Sequence, residues 1–301
     1  MTNLANVAFI GLGVMGGPMA GHLAAAGHRV VAYNRTRSRA EAWLTAQQAK
    51  GHAATLAATP AEAARSAQIV FTCVGNDDDL AEVVLGSEGA LCAMASGALL
   101  VDHTTVSAAM ARRVATEAEA SGVESIDAPV SGGQAGAESG ILAIMCGGSE
   151  AAIARAMPVM DCYASRVVHV GPAGAGQTAK MANQMCIAGT LAGLSEAIRL
   201  AQAAGLDLDR TYEAISGGAA QSWQMNNRWQ TMVGGQFDFG FAIDWMRKDL
   251  AYALDEARRL GLSSPVTALV DQFYAEVQAS GGGRKDTSAL ISRLPKGECG
   301  Q

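Results

Sequence analysis

The 301-residue chain carries 22 basic and 28 acidic residues, a net charge of -6. It has no basic block or polybasic tail, which argues against nucleic acid or an anionic membrane as partner. Its length corresponds to about two domains with room for a large core.

Six cysteines are scattered along the chain: Cys73, Cys92, Cys146, Cys162, Cys186 and Cys299. No C-x-x-C spacing occurs, so neither a disulfide framework nor a zinc site is expected, and a reducing, cytoplasmic setting is. Several of them sit in apolar runs and read as small core residues. Met1 to Asn6 lacks the basic start of a signal peptide.

Val7 to Ile10 is a short apolar run that reads as a buried parallel strand. Gly11-Leu12-Gly13-Val14-Met15-Gly16 follows, and then a helical stretch to Gly27. Strand, G-x-G-x-x-G and helix together form the context in which this motif points to a dinucleotide. The first glycine permits the turn and the second lets the backbone approach a pyrophosphate. The third packs helix on strand, and the helix end supplies N–H donors.

Arg29 to Tyr33 is the second strand. An NAD site usually carries an acid at its end; here stands Asn34-Arg35-Thr36. With no carboxylate at that point a 2′-phosphate is not repelled, Arg35 can pair with it, and Asn34 or Thr36 can hydrogen-bond it. NADP is therefore the expected cofactor, with NAD the lesser alternative. The plain alternative is that Arg35, Arg37 and Arg39 are three ordinary surface arginines.

The βα alternation continues. Gln68 to Val74 reads as a strand ending at Gly75-Asn76, followed by a helix from Asp77 to Val84. Ala98 to Val101 is the next strand, ending near Thr104-Thr105. Ligands sit at such C-terminal strand ends, so Val74, Gly75, Asn76 and Thr105 are expected to line the cofactor cleft. Alternatively the hydroxyls of Thr105 and Ser107 cap the next helix, which is the expected role of Ser107.

Ser131-Gly132-Gly133 presents a hydroxyl and backbone N–H groups, a nest suited to a carboxylate, or else a plain loop. Ile141 to Met145 and Val167 to Val170 read as the last strands.

Gly174 to Ala204 then runs without a breaker, about 28 helical residues and on the order of 42 Å, enough to cross from one domain to another. It is apolar almost all round and is expected to be buried. Lys180, Asn183 and Gln184, at i, i+3 and i+4, share its one polar face, which either lines a cavity or lets Lys180 snorkel to water from the first turns. Asn183, Gln184 and Glu196 interrupt it too often for a membrane span. After Gly205 everything reads helical: 209–215, 222–233, 243–260, 265–279 and 288–294, with Asp286 or Thr287 capping the last. Trp223, Phe241 and Trp245 line a pocket or, the commoner role, sit in the core.

The predicted fold is thus α/β: a Rossmann dinucleotide-binding domain over residues 1–164, then an all-α domain over 165–301 built on the long helix. Four stretches together resemble the β-hydroxyacid dehydrogenases, the group that includes 3-hydroxyisobutyrate dehydrogenase and tartronate semialdehyde reductase. They are Gly11 to Met19, Asp127-Ala-Pro-Val-Ser131-Gly132-Gly133, Gly174-Ala-Gly-Gln-Thr-Ala-Lys180-Met-Ala-Asn183-Gln184, and Lys248-Asp249-Leu250.

The resemblance implies Lys180 as general acid and Asn183 as substrate-positioning residue. It implies that Ser131, Gly132 and Gly133 hold a substrate carboxylate, and that Thr105 and Lys248 contact the cofactor. Gln184, Phe241 and Asp249 would join the substrate site, Phe241 and Asp249 by helping to shape its closed form. Gln184 departs from the Asn-Asn pair of many hydroxyisobutyrate enzymes. Asn34-Arg35-Thr36 and Ser-Gly-Gly resemble different subfamilies, which leaves the substrate open.

The implied activity is NADP-dependent interconversion of a small carboxylate-bearing aldehyde and its hydroxy acid, by a homodimer or homotetramer, with no metal. A desolvated lysine suits the proton transfer because burial lowers an amine's pKa. An imine reductase on the same scaffold usually lacks the lysine. A methyltransferase usually wants an acid after the second strand, and an inactive chromatin-associated module fits poorly with Lys180 and the acidic charge.

Overall fold

The computed structural model describes residues 4–295; Met1 to Asn3 and the region holding Cys299 lie outside them. The chain folds as two compact units, Met1–Lys180 and Met181–Gln301.

The first unit is built on a single sheet. Strands β1 (Asn6–Ile10), β2 (Arg29–Tyr33), β3 (Ala54–Leu56), β4 (Ile69–Thr72), β5 (Leu99–Asp102) and β6 (Glu124–Asp127) pair in parallel in the order 3-2-1-4-5-6. Strand β8 (Leu142–Gly147) runs antiparallel to β6 and to the two-residue β7 (Val130–Ser131), and β9 (Ala164–Gly171) pairs with β8 in parallel.

A strand buried on both faces sends alternate residues to opposite sides. Val7, Phe9, Phe71 and Val101 join one apolar cluster with α1 (Gly16–Ala25) and α7 (Glu150–Met160). Ala8, Ile10, Val70 and Leu100 join the other, with α3 (Pro60–Ala64) and α5 (Ala108–Ala120). The result is the three-layer α/β/α arrangement of a doubly wound fold.

Strand β3 and helix α2 (Arg37–Gln48) have no counterpart in the sequence reading. β3 is a three-residue edge strand with one buried residue, too short and too open to leave an apolar run. The helix expected from Asp77 to Val84 is α4 (Asp77–Leu80) followed by a π-turn, Ala81–Leu85. Ser107 caps α5 by accepting from the Met110 N–H at 3.0 Å.

Helix α8, Ala175–Ala203, runs through the division between the units, and Gly205 follows it with φ +67°. It is not buried all round. Ala182, Cys186, Gly193, Ala197 and Leu200 form an exposed stripe, so its nearly continuous apolarity does not translate into continuous burial. The second unit adds α9 (Leu208–Ile215), α10 (Trp223–Gly234), α11 (Ile243–Arg259) and α12 (Pro265–Val277). Their core joins Leu191, Leu194 and Ile198 of α8 to Trp229, Met246, Leu250 and Tyr274.

The last helix is a 3-10 segment, Thr287–Arg293, capped by Asp286, which accepts from the Ser288 N–H at 3.0 Å. Trp229 is the core tryptophan of this unit, whereas Trp223 and Trp245 are 55% and 39% exposed and do not take the commoner core role. Cys146 is a core residue, but Cys92 and Cys186 are exposed. No helix among the described residues is long and apolar enough to cross a membrane.

Candidate functional site

The glycine turn is fixed by its neighbours. The Gly11 N–H donates to the Tyr33 carbonyl and the Leu12 N–H to Asn34 Oδ1, both at 2.9 Å. Gly11 has φ +99°, and a Cβ there would run into the Cys73 carbonyl. At Gly16 a Cβ would run into the Gly11 carbonyl, so helix α1 can start against the strand only with glycine at that place. At Gly13 a Cβ would meet no protein atom within 4 Å. Two glycines are therefore required by the protein itself, while the third keeps side-chain bulk away from an open approach to backbone N–H groups, which fits a pyrophosphate. Val14 is exposed, and Met15 stands immediately before α1.

Asn34 is committed to the turn: besides the Leu12 bond, its Nδ2 donates to the Thr36 carbonyl at 3.0 Å. Arg35 lies 71% exposed, and its Nη1 donates to Asp79 Oδ1 at 2.7 Å. The carboxylate missing from the end of β2 is thus supplied from α4. Nothing in the sequence marks this, because the two residues lie 44 positions apart. Asn76 caps α4 by accepting from the Asp79 N–H at 2.8 Å.

The C-terminal ends of β4 and β5 carry a buried polar cluster that sequence reasoning missed. Asp102 Oδ1 accepts from the Thr72 hydroxyl at 2.6 Å and the Thr104 N–H at 3.0 Å. Thr104 Oγ1 in turn accepts from the Val74 N–H at 3.0 Å. Gln177, fully buried in the first turn of α8, donates to the Thr104 carbonyl at 2.7 Å and accepts from the Val106 N–H at 3.1 Å. The backbone on both sides of Thr105 is clamped by one amide, and Val74 is tied to the same network. A polar residue at the start of a long apolar helix is the one signal that could have pointed to Gln177.

The cluster has opposed pH responses. Burial pushes the Asp102 carboxyl up to about 7, against the hydrogen bonds from Thr104 and Thr72. Burial pulls the His103 imidazole down to about 4. Its Nδ1–H donates to the Ala128 carbonyl at 2.6 Å, leaving Nε2 to accept from the Tyr163 hydroxyl at 2.8 Å.

Folded Asp102 holds its proton more tightly than the unfolded chain does, so its contribution to stability falls as pH rises from about 4 to about 7. For His103 the unfolded chain binds more protons, and its contribution falls as pH drops from 6.5 toward about 4. The two slopes cancel over their shared window. Relative to the unaltered protein, Asp102→Asn should therefore become progressively more stable between about pH 4 and about 7 and change no further above that. Urea unfolding at several pH values reads this difference; a flat difference over the range would refute it.

Asp127 opens the second family-like stretch, yet it serves the helix. Its Oδ1 accepts from the Gly174 N–H at 2.7 Å and its Oδ2 from the Gln177 N–H at 2.9 Å, which caps α8. Ser131 closes β7 half-buried, and Gly132 and Gly133 follow exposed, with φ +134° and +62°. Lys180, two turns into α8, is only 8% exposed, so it is not a lysine lying freely in solvent.

In the second unit, Asn183 Nδ2 donates to Gln184 Oε1 at 2.9 Å, and Gln184 Nε2 to Asp249 Oδ2 at 2.6 Å. Lys248 Nζ lies 3.3 Å from Asp249 Oδ1 and faces the rings of Trp245 and Tyr252. Four of the predicted residues thereby form one chain of contacts. Phe241 stands apart from it, its N–H donating to Asp286 Oδ2 at 3.0 Å. Among the described residues no cluster of three His, Cys, Asp or Glu could hold a metal.

Strand order, glycine turn and open approach to the start of α1 define a dinucleotide-binding domain. A family model described as the NAD binding domain of 6-phosphogluconate dehydrogenase matches residues 6–171. Another, described as NAD-binding of NADP-dependent 3-hydroxyisobutyrate dehydrogenase, matches residues 174–294. The chain belongs to the 3-hydroxyisobutyrate dehydrogenase family of NAD(P)-dependent β-hydroxyacid dehydrogenases.

It is 57% identical to an uncharacterized oxidoreductase of Shewanella frigidimarina, over 97% of this chain and 99% of that one. It is 36% identical to 2-hydroxy-3-oxopropionate reductase of Escherichia coli, covering 95% and 96%. A solved structure of Mycobacterium tuberculosis 3-hydroxyisobutyrate dehydrogenase with L-serine is similar at TM-score 0.88 and 31% identity, covering 97% and 99%.

Proposed function

We propose that the enzyme uses NADPH to reduce a small aldehyde bearing a carboxylate, and catalyses the reverse oxidation of the hydroxy acid. The observation that carries this reading is the buried Lys180 on the polar face of α8, one turn from Asn183 and Gln184. A nicotinamide cofactor, when bound, supplies the hydride. The chain must hold the carbonyl and deliver a proton to its oxygen. Lys180 as an ammonium stabilises the developing alkoxide and protonates it; in the reverse direction the neutral amine takes the hydroxyl proton. Asn183 orients the substrate. Ser131 and the N–H groups of Gly132 and Gly133 hold its carboxylate.

Support for NADP comes from Arg35 at the end of β2 and from the description of the model that matches residues 174–294. The small-acid substrates named for the relatives support the carboxylate. The test is a panel of succinic, tartronate and methylmalonate semialdehydes, glyoxylate and sulfonated analogues, run with NADPH and with NADH. Turnover of a carboxylate-bearing aldehyde, faster with NADPH, is expected; activity confined to imines would overturn the reading.

The exposed stripe of α8, with Leu206, Leu260, Leu262, Val266 and Leu269 also exposed, supports assembly into a homodimer or homotetramer. Light scattering at micromolar concentration should return two or four times 30.8 kDa. A single 30.8 kDa species would be incompatible with it.

A further inference from the structure

We infer that Asp79 is a second determinant of cofactor choice, a carboxylate that competes with the cofactor's 2′-phosphate for the Arg35 guanidinium. The inference rests on Arg35 being the 2′-phosphate ligand.

The pair is asymmetric. Asp79 sits in the first turn of α4, its backbone held by the Asn76 side chain, and its own side chain is 23% exposed. Arg35 is 71% exposed. The carboxylate is the anchored partner and the guanidinium the mobile one. A guanidinium has five N–H donors, and Asp79 engages Nη1. A phosphate can dock on the remaining edge without breaking the pair, but it then brings close to two negative charges within about 6 Å of a carboxylate. Glu82, exposed on the π-turn after α4, adds its field to the same guanidinium.

Two effects oppose each other. Asp79 steadies Arg35, which helps phosphate binding; an exposed ion pair of this kind is worth at most about fivefold in an equilibrium constant. Asp79 also repels the phosphate. At about 6 Å in water the repulsion between one and two charges corresponds to about tenfold, and to about threefold at physiological salt. The phosphate must in addition share a guanidinium whose charge is already balanced. Many exposed ion pairs contribute nothing measurable, and with Arg35 71% exposed the steadying falls at that low end. Repulsion and sharing together then outweigh it, so Asp79 tempers the preference for NADP that Arg35 confers. Asn34's side-chain hydrogen bonds go to Leu12 and Thr36 rather than to Asp79.

The experiment titrates adenosine 2′,5′-bisphosphate and 5′-AMP, by calorimetry, into the whole protein and into Arg35→Ala, Asp79→Asn and Glu82→Gln. Asp79→Asn keeps size and removes charge. It should tighten the bisphosphate about two- to tenfold, the repulsion less the small steadying it also removes, and leave 5′-AMP within about twofold. Glu82→Gln should act in the same direction and less. Arg35→Ala should weaken the bisphosphate alone. If the unaltered protein discriminates between the two nucleotides through Arg35 but Asp79→Asn leaves the bisphosphate unchanged or weaker, the competition is disproved and Asp79 is a steadying partner. If the unaltered protein does not discriminate, the 2′-phosphate reading of Arg35 fails, and the inference with it.

Discussion

Lys180→Ala should lower kcat by roughly 10²–10⁴ on any good substrate while NADPH binding stays nearly unchanged. Under the proposed function the loss would combine two roles, since one ammonium would both stabilise the alkoxide and donate the proton. The side chain is buried in the first turns of α8, so truncation also leaves a small hole, but the glycine turn and Arg35 are separate parts of the first unit. Ser131→Ala makes the contrast. It should raise KM for carboxylate-bearing substrates more than it lowers kcat, because a group that binds ground state and transition state equally affects KM. Steady-state kinetics beside NADPH titration separates these cases. Near-normal kcat in Lys180→Ala would remove lysine from the chemistry altogether.

Asp127→Ala should be the most destabilising of the polar substitutions. The carboxylate is 6% exposed and takes the N–H groups of Gly174 and Gln177 at the start of α8. Burial raises its pKa, against the pull of those N–H groups, so desolvation offsets part of what the cap contributes. Alanine leaves the donors buried without an acceptor, each costing about 1–3 kcal/mol. Adding the helix-dipole contribution, the expected loss is about 3–5 kcal/mol. At about 2–4 °C per kcal/mol the melting temperature should fall by roughly 10 °C. Asp127→Asn keeps one acceptor and should fall less. Because the same helix start carries Gln177, the clamp on Thr104 and Val106 should loosen too. An alanine variant melting within about 2 °C of the unaltered protein would show that water replaces the cap.

The turn from β1 into α1 was readable in the sequence because its signal is local: an apolar run, three glycines at set spacing, and a helix that needs Gly16. The groups that fix it, from Tyr33, Asn34 and Cys73, were not. The long helix, its glycine stop and the polar triplet Lys180, Asn183 and Gln184 were readable for the same reason, since helical period and a breaker lie within one stretch. The short edge strand β3 was not, because three half-open residues leave no period to detect.

Tertiary structure alone decided the partners. Asp79 reaches Arg35 across 44 residues, Asp127 reaches Gly174 across 47, and Gln177 reaches Thr104 across 73. Each pairing depends on which strand ends and helix starts the sheet order brings together, and polar residue types by themselves do not say whom they will meet. Burial likewise needed the folded chain: α8 looks apolar all round in sequence, yet packing of its own unit covers Leu191, Leu194 and Ile198 and leaves Ala182, Cys186 and Leu200 exposed. Composition sets what a face can tolerate, and only the neighbours present determine whether water is excluded from it.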